Sequence, residues 1–358
     1  EITDDTNLPR INYEGFSYDA NGDIIPNSGC GSWLLEPQST NLTPYSEDFS
    51  NSYWIKSGAS VTSGFSSPSG DLSAFKLVED TSTGEHRFYT NTTSVVTGTK
   101  YTYSIRVKPN GRDWIKVATN ASDFVYFNIS TGVVGSSSSA TGIIKSLNNG
   151  WVECSITFTT TITQEGLFFN CASSDGSATY TGNGTSGVYI WGAMLEQQSY
   201  ATSYIPTQGA ISTRLNETCN KTGLSSGLLS NKTSATFFME FDYPLKTIGV
   251  DAFRIMQTTG VGGRAYIWDT EIGFAGDWVG TPQQISTTQT NKVIWRLNTL
   301  SDGDTFVGGV KGANKSGTAW VGIDKIYLFL GAGVLNIKNL QVYDTALTDA
   351  ECITLTSL

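Results

Sequence analysis

The sequence predicts an all-β protein: two tandem antiparallel β-sandwiches of jelly-roll type with a short C-terminal helix. Three observations predict it. Of 358 residues only 15% are charged, where roughly a quarter is ordinary for a soluble domain. Serine, threonine, asparagine and 38 glycines take their place, and these residues fit turns and strands better than helices. Short apolar runs recur between turn signals, as sandwiches require. The length makes about two domains at roughly 150 residues each.

Along the chain, residues 1–40 hold turn signals, Ala20-Asn21-Gly22-Asp23 and Asn27-Ser28-Gly29, with few periodic runs, so they read as a wrapping or connecting segment. Strand signals follow at 101–107, 114–118, 124–129, 151–158, 167–171 and 188–195. The turns between them include Asn110-Gly111, Asn149-Gly150 and Asn183-Gly184. This series defines a first domain over residues 41–207, and the boundary is expected near Pro206 to Thr213. A second series at 235–243, 253–257, 265–268, 293–297, 305–310, 325–330 and 337–343 defines a second domain over 208–358. In Tyr101-Thr102-Tyr103-Ser104-Ile105-Arg106-Val107-Lys108 apolar and polar residues alternate, the period of a half-buried strand. Thr348-Asp349-Ala350-Glu351 is a capping box, which predicts the closing helix.

Charge excludes several functions. Lys plus Arg number 22 against 32 Asp plus Glu, a net charge of −10, and the isoelectric point is near 4.6. Binding to nucleic acid or to an anionic membrane needs clustered positive charge, so neither partner is expected. The longest apolar stretch, 326–337, is broken by Gly331 and Gly333 and falls short of the roughly 18 residues that span a bilayer. No membrane insertion is expected. The chain starts at Glu1 without a methionine or signal peptide, which leads us to expect a processed product or a piece of something longer. Five widely spaced cysteines, Cys30, Cys154, Cys171, Cys219 and Cys352, show no C-x-x-C pair and read mostly as free thiols. Cys154 and Cys171 sit at similar distances from a turn at 163–166 and could face each other across a hairpin.

Several motifs carry a family resemblance. They are Leu8-Pro9-Arg10-Ile11-Asn12-Tyr13, Trp33-Leu34-Leu35-Glu36-Pro37-Gln38-Ser39-Thr40-Asn41-Leu42, Tyr45-Ser46-Glu47-Asp48-Phe49 with Trp54, Asn149-Gly150-Trp151, Ile190-Trp191-Gly192-Ala193-Met194-Leu195-Glu196 and Ala201-Thr202-Ser203-Tyr204-Ile205-Pro206-Thr207. Together, over residues 8–214, they resemble a recurrent module of bacteriophage tail, fibre and head-decoration proteins. That module is similar to jelly-roll carbohydrate-binding modules. Ile337-Lys338-Asn339-Leu340-Gln341-Val342-Tyr343-Asp344 and the Ala346-to-Glu351 run resemble the end of a laminin-G or concanavalin-A-like sandwich. The resemblance implies a non-catalytic virion surface protein, a fibre or a decoration, adhering to glycans on or around host bacteria. It also implies other virion proteins as partners and a homo-oligomer, a trimer by analogy with fibres.

His86 is the single histidine, which leaves a serine triad one possible base, and no triad is expected; His86 reads as a structural residue bonded between strands. Met239-Glu240-Phe241-Asp242-Tyr243-Pro244-Leu245 partly resembles the catalytic strand of laminarinase-type glycoside hydrolases, but Leu245 stands in place of the third acid. No cofactor is expected except a structural Ca²⁺, which both sandwich families often hold. Asp302-Gly303-Asp304 and Asp19-Ala20-Asn21-Gly22-Asp23 are oxygen-rich loops that would suit it. Sugar binding asks for aromatic rings on an outward face beside polar groups. Trp54, Trp151, Trp191 and Trp295 read as core. Ile115 and Val117 mark a buried face that leaves Trp114 and Lys116 on the other side. Likewise Ala265 and Ile267 leave Arg264, Tyr266 and Trp268 together, and Trp278 lies in a loop. These six are the glycan-site candidates. Two other functions fit the same sequence: a structural decoration protein without glycan affinity, and a polysaccharide depolymerase. A secreted bacterial lectin is a third.

Overall fold

A computed structural model describes residues 10–12, 16–18, 24–26, 32–120, 122–217, 219–221, 223–245, 251–257, 264–275, 281–317, 323–328 and 334–357. The chain forms two compact units, residues 39–214 and residues 2–38 with 215–358. Each is a sandwich of antiparallel sheets.

In residues 39–214 one six-stranded sheet runs in the order Val133–Ser138, Phe124–Asn128, Trp114–Thr119, Gln164–Ala172, Arg87–Ser94, Ile55–Ser57. The facing sheet runs Thr141–Ser146, Val152–Thr159, Lys100–Asn110, Gly187–Glu196, Ala74–Glu79, Ala59–Phe65. Alternate residues from both, among them Ile115, Val117, Phe169, Tyr103, Ile105 and Val188, form one buried core. Trp54 and Trp151 are buried in this unit, Trp54 in that core and Trp151 in a second cluster with Trp191 and Tyr204.

The Lys100–Asn110 strand departs from the expectation of one wet face. Thr102, Ser104 and Arg106 are buried as well, because chain from the 196–207 region covers them. Thr102 Oγ1 donates to the Gln198 carbonyl at 3.0 Å. Arg106 donates to the Gly192 carbonyl at 2.9 Å, pairs with Glu153 and lies 4.9 Å from the Tyr204 ring centre. The alternation signals polarity here without signalling exposure.

His86 is fully buried. Its Nδ1 is 2.6 Å from the Gly58 carbonyl oxygen and its Nε2 3.2 Å from that of Tyr180, so it ties three segments together. Gly182 leaves room for the ring: a Cβ there would come within 2.8 Å of His86 Cε1. Cys154 and Cys171 are free and buried, and they belong to opposite sheets, not to one hairpin. Residues 152–159 pair with the Lys100–Asn110 strand, whereas 164–172 pair with Arg87–Ser94 and Trp114–Thr119 in the facing sheet. Burial pushes the Cys171 thiol up to about 12.

In the other unit, Arg10–Asn12 and Ser32–Leu35 join the sheet that continues through Val334–Tyr343, Ala235–Leu245, Asn291–Thr299 and Asp302–Val307. Arg10–Asn12 and Ser32–Leu35 are thus strands of this sandwich, while Phe16–Tyr18 and Ile24–Pro26 pair with each other. The opposing sheet holds Cys219–Lys221, Ile323–Leu328, Asp251–Gln257, Arg264–Trp268, Glu271–Ala275 and Gln283–Gln284. Phe237, Met239, Phe241, Trp295, Ile267 and Phe274 meet in the core between them. The helix Asp349–Thr356 begins at the expected capping box, Thr348 accepting from the Glu351 amide. Its Cys352 packs on Phe238, Ile294 and Phe306.

Candidate functional site

The outward face of the first sheet of residues 39–214 is built by strand register. One row crosses it as Tyr126, Lys116, Asn170, Arg87, Ser57, each paired with the next. The next row reads Phe124, Ala118, Phe168, Tyr89, Ile55. Adjacent strands lie about 5 Å apart, so two rows of five residues make a surface the size of a few sugar rings. It is lined by four aromatic rings and three nitrogen-bearing side chains.

The rings are organised in two pairs, each topped by a cation. Tyr89 and Phe168 lie parallel, their planes 5° apart and centres 5.3 Å apart, and the Arg87 guanidinium sits 4.9 Å and 5.3 Å from the two centres. Phe124 and Tyr126 meet edge to face at 5.7 Å, and Lys116 Nζ is 5.0 Å and 5.9 Å from their centres. Tyr89, Phe168 and Phe124 are half-buried and keep ring surface open. Tyr126 is buried, and burial, then the charges of Glu85 and Asp175, lifts its phenol above the usual range.

Both nearby carboxylates are committed. Glu85 pairs with Arg87, and Asp175 accepts from the Ser136 amide at 2.9 Å and its hydroxyl at 2.6 Å. Those Ser136 bonds hold the Asp175 carboxyl below the usual range. Lys116 has no carboxylate partner among the described residues. Asn170 Nδ2 and Arg87 Nε are buried without a hydrogen-bond partner among the described residues. Donors left so are costly unless a ligand or water meets them.

Of the six residues expected from sequence, two lie on this face. Lys116 is central. Trp114 is at its margin, clustered with Tyr126, Phe124, Ala172 and Ala178; its ring is tucked at Gly135, where a Cβ would come within 2.7 Å. It walls the surface more than it floors it. Tyr89, Phe168, Arg87, Phe124, Tyr126 and Asn170 were not anticipated.

Three other candidates lie in the second unit. Arg264, Tyr266 and Trp268 alternate on one strand, opposite Ala265 and Ile267. Trp268 is 44% exposed, but Tyr266 only 5%. The reason is Gly273, its cross-strand partner, where a Cβ would lie 2.9 Å from the Tyr266 hydroxyl: the phenol occupies the space a side chain would take. Tyr266 and Trp268 rings are 6.4 Å apart at 69°. For Arg264 only the backbone position is described, and Trp278 lies outside the described residues.

The acidic motifs serve other ends. Asp302-Gly303-Asp304 is a strand, not a loop. Asp304 is buried and held by Arg296, by Asn298 Nδ2 at 2.9 Å and by Asn314 Nδ2 at 3.3 Å, which leaves it no geometry for Ca²⁺. No group of three or more His, Cys, Asp or Glu side chains suited to a metal occurs among the described residues. The Asp19-to-Asp23 loop lies outside them. Glu240 and Asp242 share the outer face of their strand; Asp242 accepts from Thr290 Oγ1 at 2.7 Å and pairs with Lys338 at 2.9 Å.

No protein-family model matches the chain. No curated protein matches it either. Among solved structures it is similar to the CBM40 of the Ruminococcus gnavus IT-sialidase, bound to α2,3-sialyllactose, at 15% identity and a TM-score of 0.28, over 38% of this chain and 92% of that one. It is also similar to mouse laminin α1 chain domains LG4-5, at 10% identity and a TM-score of 0.21, over 75% of this chain and 89% of that one.

Proposed function

We propose that the chain is a non-catalytic, glycan-binding protein of a virion surface, a fibre or a decoration, and that the sheet face carrying Tyr89, Phe168, Lys116 and Asn170 is its sugar site. The observation that supports binding is the juxtaposition of open aromatic ring surface with donors that lack partners. The apolar face of a pyranose stacks on such rings while its hydroxyls meet amide and ammonium groups. A core has no use for that combination. The virion setting rests on the sequence motifs over residues 8–214. The non-catalytic reading rests on Asp242 being engaged by Lys338 and on Leu245 in place of a third acid.

A single shallow site of this kind binds weakly, because a few contacts must offset the ligand's lost freedom. Repetition on a particle raises avidity by orders of magnitude. A homo-oligomer, a trimer, is therefore part of the reading, and sedimentation at micromolar concentration is expected to give a mass above the 38.6 kDa of one chain. A monomer mass would count against it.

The test is a screen of glycans and bacterial surface polysaccharides with the wild-type chain, a Tyr89→Ala/Phe168→Ala variant and Trp268→Ala. Losing two stacking rings is expected to weaken binding at least about tenfold, near 1.4 kcal/mol, while the Trp268 variant binds like wild type. A folded Tyr89→Ala/Phe168→Ala protein with undiminished affinity would reject this face. No binding by wild type presented as a multimer would favour a structural decoration instead.

A further inference from the structure

We propose that the glycan taken by this face is acidic, and that its carboxylate or sulfate seats on the row Lys116, Asn170, Arg87. The inference rests on the glycan-binding reading above and adds the charge of the ligand to it. The three side chains stand on adjacent strands in direct register, Lys116 beside Asn170 and Asn170 beside Arg87. Their nitrogens are donors, and two of them, Asn170 Nδ2 and Arg87 Nε, are buried with no acceptor among the described residues. Lys116 carries a charge that no carboxylate of the described residues neutralises, since Glu85 is bonded to Arg87 and Asp175 to Ser136.

What is missing from the face is an acceptor with several lone pairs and a negative charge. Neutral sugars offer hydroxyls, which must donate as well as accept, and on this row the Asn170 amide oxygen and the Ser57 hydroxyl can receive those protons, against the several donors of Lys116, Asn170 and Arg87. An anionic oxygen pair or triad accepts from several donors at once, and such charge-assisted bonds are the stronger kind. The flanking rings, Tyr89 with Phe168 and Phe124 with Tyr126, would hold the sugar body on either side of the anion. The chain's net charge of −10 repels a polyanion at long range. A preference for acidic ligands must therefore be local, which separates it from nonspecific attraction.

The experiment uses matched pairs: polygalacturonate beside its carboxyl-reduced form, dextran sulfate beside dextran, and an array of sialylated, uronic and sulfated glycans beside their neutral parents. Wild type, Lys116→Met and Arg87→Gln are titrated on each. The acidic member of at least one pair is expected to bind tenfold or more tighter than its neutral partner, and the pair that shows it tells carboxylate from sulfate. Each variant is expected to shrink that ratio severalfold. Lys116→Met keeps the aliphatic stem over Phe124 and Tyr126, so it provides the test even if Arg87→Gln fails to fold. Equal binding of acidic and neutral partners throughout would overturn the inference and leave glycan binding standing. A preference that survives both substitutions would overturn the assignment to this row. Binding to no member at all would overturn the glycan reading itself.

Discussion

Replacing Glu79 by alanine is expected to destabilise residues 39–214 by about 3 kcal/mol and to lower their melting temperature by roughly 10 °C. The Glu79 carboxylate is fully buried and accepts four hydrogen bonds. Two come from Arg112, at 2.7 and 2.6 Å, one from the Tyr180 hydroxyl at 2.6 Å and one from the Asn183 amide at 2.9 Å. Arg112 also lies 4.7 Å from the Tyr180 ring centre. Removing the carboxylate strands a cation, a phenol and an amide together, the costly way to break a buried pair. Arg112 is 20% exposed, so water recovers part of the loss and the lower end of the usual range applies.

The same group sets an acid limit. Burial works to raise the Glu79 carboxyl, but its bonds to Arg112, Tyr180 and Asn183 outweigh it and hold it below its ordinary value of 4.5. The stability it contributes is therefore present above pH 4.5 and is lost as pH falls through the lowered folded value. Glu79→Ala should melt low at neutral pH and lose less than wild type below pH 4. The network anchors the Thr179–Thr181 and Thr83–Glu85 pair, and the chain runs from there into Arg87 and Tyr89, so sugar affinity should fall with stability. A variant melting within a degree of wild type at pH 7 would contradict this account.

What the sequence revealed of the fold follows the burial of each strand. Runs such as 114–117, with Ile115 and Val117 inward, and 235–243, with core side chains at every odd position, are legible for that reason. Arg87–Ser94, a central strand of its sheet, was missed because threonine and asparagine fill half of it. Val133–Ser138, an edge strand read as Val-Val-Gly-Ser-Ser-Ser, carries no core signal at all. Trp114 and Lys116 were found because Ile115 and Val117 declare the inner face. Phe168 was hidden between Leu167 and Phe169, a run apolar on both sides, and only Asn170 two residues on marks its parity. Tyr89 and Phe168 become a pair through register, which no single strand records. The Tyr266 phenol illustrates the converse: its parity was right, but the bare Gly273 opposite drew it under cover.

Lys315→Met is expected to stabilise the second unit at pH 7 and to lose that advantage in alkali. Lys315 pairs with Gly303 at the end of a sheet and is only 1% exposed. Its ammonium has no hydrogen-bond partner among the described residues. A Cβ on Gly273 would lie 3.4 Å from Nζ and 2.9 Å from the Tyr266 hydroxyl, so amine and phenol converge over that glycine. Burial lowers the Lys315 amine from 10.5 to about 8, against the opposing charge of Glu271. The folded state thus disfavours the proton, and the drop corresponds to about 3 kcal/mol of lost stability at pH 7. Between pH 8 and 10.5 the unfolded chain holds a proton that the folded chain has released, so stability rises with pH across this window. Methionine keeps the stem and removes the charge, so the unit's melting temperature should rise by several degrees at pH 7, at roughly 2–4 °C per kcal/mol. The two proteins should converge above pH 10.5, measured by thermal unfolding across the pH series. A methionine variant that melts lower at pH 7 would mean that water or a bound acceptor satisfies the ammonium. In that case the Lys315 amine, converging with the Tyr266 phenol over Gly273, would be part of a second polar site and not a defect in the core.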